Sequence, residues 1–246
     1  MSLSQKIFIY CERGQDPAFW AEPMNALTNG AFIIAAAFAT REYLVAPPER
    51  GRRDMPTALL ILLTYTIGVG SFLFHTYATR WAALADTIPI ALFMLAYFGF
   101  LLRRFLGLHW LVAVAGVAVF YATLWYAGTI ECRYETLLPI TSRTGARCFN
   151  GSLGYAPAFF ALVGAAALLA ALRHPAWRLI GLAGLVFLAS MTFRTLDLEL
   201  CSRVRLGDMV VGTHFLWHVL NAVTLYLLLR AAIRYGSSGM RRNRPA

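Results

Sequence analysis

The last long apolar segment of the chain opens with Gly212-Thr-His214-Phe-Leu-Trp-His218-Val-Leu-Asn221. In a helix its two histidines, four residues apart, project from one face about one turn from each other. This spacing occurs in many zinc sites, usually with a third ligand from elsewhere in the chain. Histidines used for packing or hydrogen bonding are the alternative. An ionisable residue inside a membrane span is costly, however, so a functional role becomes the default hypothesis.

The composition predicts an integral membrane protein. Of 246 residues, 59% are hydrophobic and 14% are charged, against about 25% charged residues in a typical soluble domain. Seven apolar segments are long enough to cross a bilayer, so we expect an all-α, polytopic fold in one domain, residues 1–246. The expected spans are Asn25–Leu44, Pro56–Phe74, Asp86–Leu102, Trp110–Ala127, Ala156–Leu172, Trp177–Arg194 and Gly212–Ile233.

The charge distribution predicts the orientation of this bundle. Seven spans put the termini on opposite sides, and the side of the C-terminus carries thirteen of the 22 lysines and arginines but only three of the 12 acids. The positive-inside rule then places the C-terminus, with a basic tail at residues 236–246, in the cytoplasm, and residues 1–24 outside. The chain start lacks an uninterrupted apolar core, so we expect no cleavable signal peptide. The tail is expected to face lipid headgroups, with no role in binding nucleic acid.

All four cysteines fall on the outer side of this topology, which suits an oxidising compartment. Three disulfide pairings are possible. Cys132–Cys148 within one loop, and Cys11–Cys201 between the N-terminal segment and the last hairpin, are favoured. Free buried thiols are the alternative, because unpaired cysteine is commonly buried.

Polar residues at the ends of three predicted spans reach the same depth of the bundle. Ser71 and His75, four residues apart, end a helix that runs outward, and Asp86 begins one that runs inward. His214 and His218 begin another helix that runs inward. His75, Asp86, His214 and His218 therefore all lie in the outer half of the membrane. An N-cap role is the alternative for Asp86, because aspartate often begins a helix.

Three histidines with an open fourth position are typical of catalytic zinc. Zinc lowers the pKa of bound water to about 7, so hydroxide is available near neutral pH. Asp86 is then placed to accept a proton from the water and pass it to a leaving amine. Ser71 is placed to hydrogen-bond the developing oxyanion. A substrate at this depth of the membrane should be a lipid.

Other polar and small residues nearby are expected to have structural roles. Gly68 and Gly70, just before Ser71, should let a neighbouring helix approach closely. Arg194, near the end of the sixth span, is expected to form a structural ion pair with Asp197 or Glu199.

The pattern Ser71-x3-His75-x10-Asp86, followed by His214-x3-His218, resembles the alkaline ceramidase family. This family lies within a wider group of seven-helix membrane hydrolases that includes the adiponectin-receptor-like proteins. The resemblance extends over essentially the whole chain, including Cys11-Glu12 and Glu22-x2-Asn25.

That resemblance implies hydrolysis of the amide of ceramide to a sphingoid base and a fatty acid. It assigns zinc ligation to His75, His214 and His218, proton transfer to Asp86, and transition-state support to Ser71. It also implies a disulfide between Cys11 and Cys201.

The resemblance further suggests calcium as a second ion. The family's calcium site begins with an Asp-Trp-Cys-Glu-x-Asn-like pattern and ends with a glutamate at the first helix. Glu12 and Glu22 match two of these positions. The Asp, Trp and Asn positions hold Ile9, Tyr10 and Gly14. An aromatic segment at the lipid headgroups is the alternative interpretation of this region.

Several alternatives to a ceramidase remain open. The same metal chemistry would serve another N-acyl lipid or an ester lipid, and a seven-helix receptor or sensor could keep a structural metal. A transporter is disfavoured because no pair of broken helices recurs in two halves of the chain. Lys6 is the single lysine among 22 basic residues. This arginine bias hints at a GC-rich bacterium, whose inner membrane would hold the protein with its site facing the periplasm.

Overall fold

The computed structural model describes residues 2–46, 54–132 and 148–236. Within them the fold is mainly helical, and its α-helices are α1 (Pro23–Thr28), α2 (Gly30–Val45), α3 (Met55–Tyr77), α4 (Arg80–Phe100), α5 (Trp110–Thr129), α6 (Ala156–Ala171), α7 (Trp177–Leu196) and α8 (His214–Tyr235). A π-helical turn, Leu101–Phe105, continues α4, and a 3₁₀ segment, Phe149–Tyr155, precedes α6. A short antiparallel hairpin of β1 (Arg205–Leu206) and β2 (Met209–Val210) joins α7 to α8. Apart from Gly236, the predicted basic tail lies outside the described residues.

Six helical segments in the described part of the chain are long and apolar enough to cross a membrane: α3 to α8, with α4 and α6 lengthened by their adjoining turns. The prediction of an integral membrane protein is therefore supported. α8 is the central helix, since 67% of its apolar window is buried inside the bundle, against 17% for α5. It packs on α7, α2, α3 and α1.

The first predicted span, Asn25–Leu44, is divided into α1 and α2 at Asn29. The Thr28 hydroxyl donates to the Met24 carbonyl (2.7 Å), and the Asn29 amide donates to the Asn25 carbonyl (2.8 Å). Side chains that bond back to the helix backbone in this way compete with regular helical hydrogen bonding. Neither piece alone has the length of a membrane span, so six of the seven expected spans are found.

The third span begins earlier than expected. α4 starts at Arg80, with Thr79 at its N-cap, so Asp86 lies inside the helix and is buried. The N-cap interpretation of Asp86 is therefore wrong. A hydropathy window misplaces this start because the first turns of α4 contain a charged residue.

Two glycines set the packing of α3, as expected. A Cβ on Gly70 would lie 2.0 Å from the Ala85 carbonyl oxygen, and one on Gly68 would lie 2.8 Å from Ile33 Cδ1. The backbone of α3 thus meets that of α4 at Gly70, immediately beside Ser71 and Asp86. The close approach brings these two side chains together.

Both favoured disulfide pairings are found. Cys11 pairs with Cys201 (Cα–Cα 5.4 Å), and Cys132 pairs with Cys148 (Cα–Cα 4.9 Å). The first bond ties the N-terminal segment to the connection between α7 and α8.

The N-terminal segment also lies along the turn between α3 and α4. The Ile7 backbone N–H donates to the Ala78 carbonyl (2.7 Å), and Lys6 Nζ donates to the Tyr77 carbonyl (2.7 Å). Residues 2–22, the α3–α4 turn and the α7–α8 connection therefore share one end of the bundle, which we call the disulfide end.

Replacing Gly70 by alanine should destabilise the bundle. The added methyl group would collide with a backbone carbonyl and force α3 and α4 apart, at a cost of roughly 1–3 kcal/mol or more. The expected result is a lower thermal unfolding temperature in detergent. Gly164→Ala in α6 is the matched control, because its methyl group would meet nothing within 4 Å. Its stability should stay the same or rise slightly. Equal unfolding temperatures for the two variants would contradict the packing argument.

Candidate metal centre

Three histidines from α3 and α8 converge at the disulfide end. His75, His214 and His218 are each 1% exposed, and one ring nitrogen from each lies within 4.8 Å of the others. Their ring centroids are 4.7–5.2 Å apart. No other group of three or more histidine, cysteine or acidic residues is so arranged in the described part of the chain. The predicted ligand residues are therefore brought together.

His75 is oriented by a carboxylate. Its Nδ1 lies 2.5 Å from Glu22 Oε2, and an ionised carboxylate only accepts, so Nδ1 donates the proton. The lone pair then belongs to Nε2, which is buried and has no hydrogen-bond partner among the described residues. A histidine that ligates a metal commonly donates its other N–H to a carboxylate in this way.

His218 is oriented by a hydroxyl group. Its Nδ1 lies 3.0 Å from Thr28 Oγ1. The Thr28 proton goes to the Met24 carbonyl, so the same oxygen accepts a hydrogen bond from Nδ1. The lone pair of His218 is therefore on Nε2. The break after α1 places Thr28 for this contact.

His214 is held mainly through its backbone. Its N–H and that of Thr213 donate to Asp197 Oδ1 (3.0 and 2.8 Å), which caps the start of α8. Gly212 has φ +64°, and a Cβ there would lie 2.3 Å from the same carboxylate oxygen, so this position requires glycine. The Tyr10 ring stacks on the His214 ring at 3.8 Å. His214 Nδ1 is buried without a partner among the described residues.

The donor set fits a transition metal. Two of the rings carry their proton on the outward nitrogen, so the inward nitrogen of each can ligate, and the three lie close enough to share an ion. Imidazole ligands suit zinc and other first-row metals.

Ser71 and Asp86 lie next to the histidines. The Ser71 hydroxyl is within hydrogen-bonding reach of the Asp86 carboxylate, and both residues are buried. Asp86 Oδ1 has no hydrogen-bond partner among the described residues. Both residues line a cavity of about 880 Å³ together with His214 and His218.

A narrow apolar cavity adjoins this larger one. It is lined by Phe93, Tyr97 and other core residues, and the two cavities share Ile90, Met94 and Tyr155. An apolar space thus adjoins the cavity that holds the polar residues of the site.

A family model described as Ceramidase matches residues 10–243, nearly the whole chain. The chain belongs to the Ceramidase family. The resemblance inferred from the five spaced residues is thereby confirmed. No curated protein matches the chain in sequence.

Sequence reasoning gave no role to Arg13, which lies beside the histidines of this ceramidase-family chain. The Arg13 side chain is fully buried, and its Nε donates to Glu22 Oε1 (2.5 Å). Its remaining contacts are with the carbonyl oxygens of Asp16, Ala18, His75 and Thr76, at 2.7–3.2 Å. The five bonds match the five N–H groups of a guanidinium. No motif in the sequence marks Arg13, because four of its acceptors are backbone atoms.

The predicted calcium residues do not fit that ion in this structure. Glu12 accepts the backbone N–H groups of Met24 (2.7 Å) and Asn25 (2.8 Å), and Glu22 already faces the Arg13 cation. Burial raises the pKa of Glu12 above its ordinary value. Burial would also raise the pKa of Glu22, but His75 and Arg13 outweigh it and lower that pKa. Calcium is not carried into the proposal below.

The expected ion pair of Arg194 is absent among the described residues, where no carboxylate lies within 4.0 Å of its guanidinium. Asp197 instead accepts backbone N–H groups, from Cys11 (3.0 Å) and from Thr213 and His214 at the start of α8. Unpaired N–H groups at a helix start satisfy a buried carboxylate well. Aromatic rings surround Arg194 instead.

Glu22→Gln should weaken metal binding. A glutamine places an amide N–H₂ among donors, so it cannot accept from both His75 and Arg13. We expect the metal affinity to fall roughly 10- to 100-fold, as is typical when a partner of a ligating histidine is lost. Competition with a fluorescent chelator measures the change. Glu199→Gln, on the α7–α8 connection, is the control, and equal affinities in the two variants would contradict this role of Glu22.

Millimolar calcium should leave the thermal unfolding temperature unchanged. A ligand that binds only the folded state raises the free energy of unfolding, by about 2.7 kcal/mol at a concentration 100 times its dissociation constant, and so raises the unfolding temperature. Adding zinc to metal-depleted protein is the positive control and should raise the unfolding temperature. A rise of several degrees with calcium, and none with magnesium, would restore a calcium site.

Proposed function

We propose that this protein is a zinc-dependent lipid amidase of the membrane, and that it acts as a ceramidase. It would hydrolyse the N-acyl amide of ceramide to a sphingoid base and a fatty acid. The observation that supports this most is the cluster of three buried imidazoles within 4.8 Å, two of which, His214 and His218, share a cavity with Asp86. Membership of the Ceramidase family supports the substrate class.

In this proposal His75, His214 and His218 hold the zinc ion. When bound, zinc would polarise the amide carbonyl and make water acidic enough to attack near neutral pH. Glu22 and Thr28 hold two of the rings in the tautomer that ligation requires.

Asp86 moves the proton. Its carboxylate accepts a proton from water as the new C–O bond forms at the amide carbon. It then donates that proton to the amide nitrogen, so the C–N bond breaks and the nitrogen leaves as an amine. Proton transfer by a positioned side chain contributes typically 10²–10⁴-fold to rate. Ser71, beside Asp86, hydrogen-bonds the developing oxyanion.

The site is proposed to open on the non-cytoplasmic side, with the C-terminus in the cytoplasm. Both disulfides lie at the same end as the histidines, and disulfides persist in oxidising compartments. In the topology predicted from the sequence, the side of the C-terminus carries the excess of arginine, which agrees with this orientation. In a bacterium, this would place the site on the periplasmic side of the inner membrane.

Two variants separate metal binding from proton transfer. Asp86→Asn should keep zinc and lose 10²- to 10⁴-fold in fatty-acid release from ceramide, because an amide cannot carry the proton. His218→Ala should lose both zinc and activity. Detergent-purified protein with a panel of ceramides serves for the assay, and metal content is measured on the same samples. His109→Ala, an exposed histidine at the N-cap of α5, is the matched control and should retain both.

The result that would overturn the proposal is equally concrete. If zinc is bound but neither ceramide nor any other N-acyl or ester lipid is cleaved, the amidase assignment fails. The metal would then belong to the core of a seven-helix receptor or sensor.

A further inference from the structure

Arg13 and Arg194 both point their guanidinium groups into the disulfide end, but their hydrogen bonding differs. All five N–H groups of Arg13 have acceptors. Arg194 makes one such bond among the described residues, from Nη1 to the Tyr10 hydroxyl (3.3 Å). Its Nε is buried and has no partner there. Arginine keeps its charge in proteins, so Arg194 is a cation with a buried N–H that no described residue accepts.

Aromatic rings stabilise Arg194 without satisfying these donors. Its Cζ lies 5.8 Å from the Tyr10 ring centroid, 5.6 Å from Tyr155 and 5.4 Å from Trp217. Cation–π attraction reaches to about 6 Å, so the contacts count, but a ring face does not accept several N–H bonds. Asp86 faces the same cavity and acts on Arg194 through space, without an N···O contact within 4.0 Å. Arg194 is half-buried, and a charge that is largely removed from water without a hydrogen-bonded counter-ion is costly.

The guanidinium lies close to the proposed reaction centre. Arg194 lines the 880 Å³ cavity together with Asp86, His214 and His218. Tyr10 connects the two groups, since its ring stacks on His214 and its hydroxyl accepts from Arg194. A group bound to Arg194 would therefore lie in the same cavity as His214 and His218, two of the proposed metal ligands.

We propose that Arg194 binds an anionic oxygen group of the lipid in this cavity, a carboxylate or a phosphate. The planar fork of a guanidinium matches both groups with two parallel hydrogen bonds. The anion has two sources: an acidic head group on the amine side of the substrate, or the fatty carboxylate that the reaction releases. The inference rests on the proposed lipid hydrolysis for its choice of ligand, and it names a substrate feature that neutral ceramide lacks.

Matched substrates test the first source. Ceramide, ceramide 1-phosphate and an N-acyl amino acid with the same acyl chain are compared in wild type, Arg194→Met and Arg194→Lys. If the head group is the ligand, kcat/KM for the anionic lipids exceeds that for ceramide in wild type, and Arg194→Met lowers this ratio about 10- to 100-fold. The lysine variant restores part of the ratio. Because ratios are compared, a general loss of folding or of metal cancels.

Binding without turnover tests both the second source and the chemistry itself. Dodecyl phosphate, dodecanoate and dodecanol are added to the holoprotein, and the rise in thermal unfolding temperature is measured. The anions should stabilise wild type more than the alcohol does, and this difference should shrink in Arg194→Met. Any contribution of the metal is common to both proteins. Arg203→Met, an exposed arginine nine residues further on, is the control and should behave as wild type.

The outcomes are distinguishable. If Arg194→Met lowers the ratio of kcat/KM for the anionic lipids to that for ceramide, the anion is the head group of the substrate. A smaller stabilisation of Arg194→Met by dodecanoate, with an unchanged preference among the substrates, assigns it to the product carboxylate. If the protein cleaves no lipid but the anion preference depends on Arg194, the proposed hydrolysis fails and the anion site stands. If neither the substrate ratio nor the binding difference changes in Arg194→Met, Arg194 is only a structural charge among aromatic rings and the inference is overturned.

Discussion

The carboxylate of Glu22 joins the N-terminal segment to α3, with one oxygen bonded to Arg13 and the other to His75, both at 2.5 Å. A buried carboxylate is tolerated when it is paired and its lone pairs are hydrogen-bonded. Arg13 supplies the opposite charge, and the Asn25 amide supplies a further donor (3.1 Å). Glu22 can therefore stay ionised and hold the proton of His75 on Nδ1. Because Glu22 takes Nδ1 of His75, Nε2 is the ring nitrogen left to face the other two histidines.

The other two histidines are held by different means, and each depends on residues outside α3 and α8. Thr28 fixes the tautomer of His218, whereas His214 relies on backbone bonds to Asp197 and on the ring of Tyr10. Most of these partners come from the first 28 residues. The helices α3 and α8 thus set where the three rings lie, while the N-terminal segment, α1 and Asp197 set their orientation. The Cys11–Cys201 bond ties that segment to the connection between α7 and α8, which leads into the start of α8 with its two rings.

Much of this could be predicted from the sequence because it depends on spacing and side. Apolar length located six spans, the four-residue spacings placed residues on shared faces, and the alternation of sides brought Ser71, His75, Asp86 and the α8 histidines together. The break at Asn29 and the early start of α4 were missed, because side-chain bonds to the backbone and charged first turns leave little trace in hydropathy. The partners of Arg13, Arg194 and Asp197 were also out of reach. Arg13 and Asp197 bond mainly to backbone atoms, which are alike in every sequence, and the rings around Arg194 come from distant parts of the chain.

Helix ends explain why one arginine is saturated and the other is not. The last turn of α3 leaves four carbonyl groups without helical partners. The Ala78 N–H takes that of Phe74, Arg13 takes those of His75 and Thr76, and Lys6 takes that of Tyr77. Two cations at a helix C-terminus also complement its dipole. Arg194 lies in the last turn of α7, but its side chain faces the cavity, and the acid that follows it caps α8 instead. Arg13 is therefore fully hydrogen-bonded in supporting the histidine cluster, whereas the guanidinium of Arg194 lines the cavity beside that cluster.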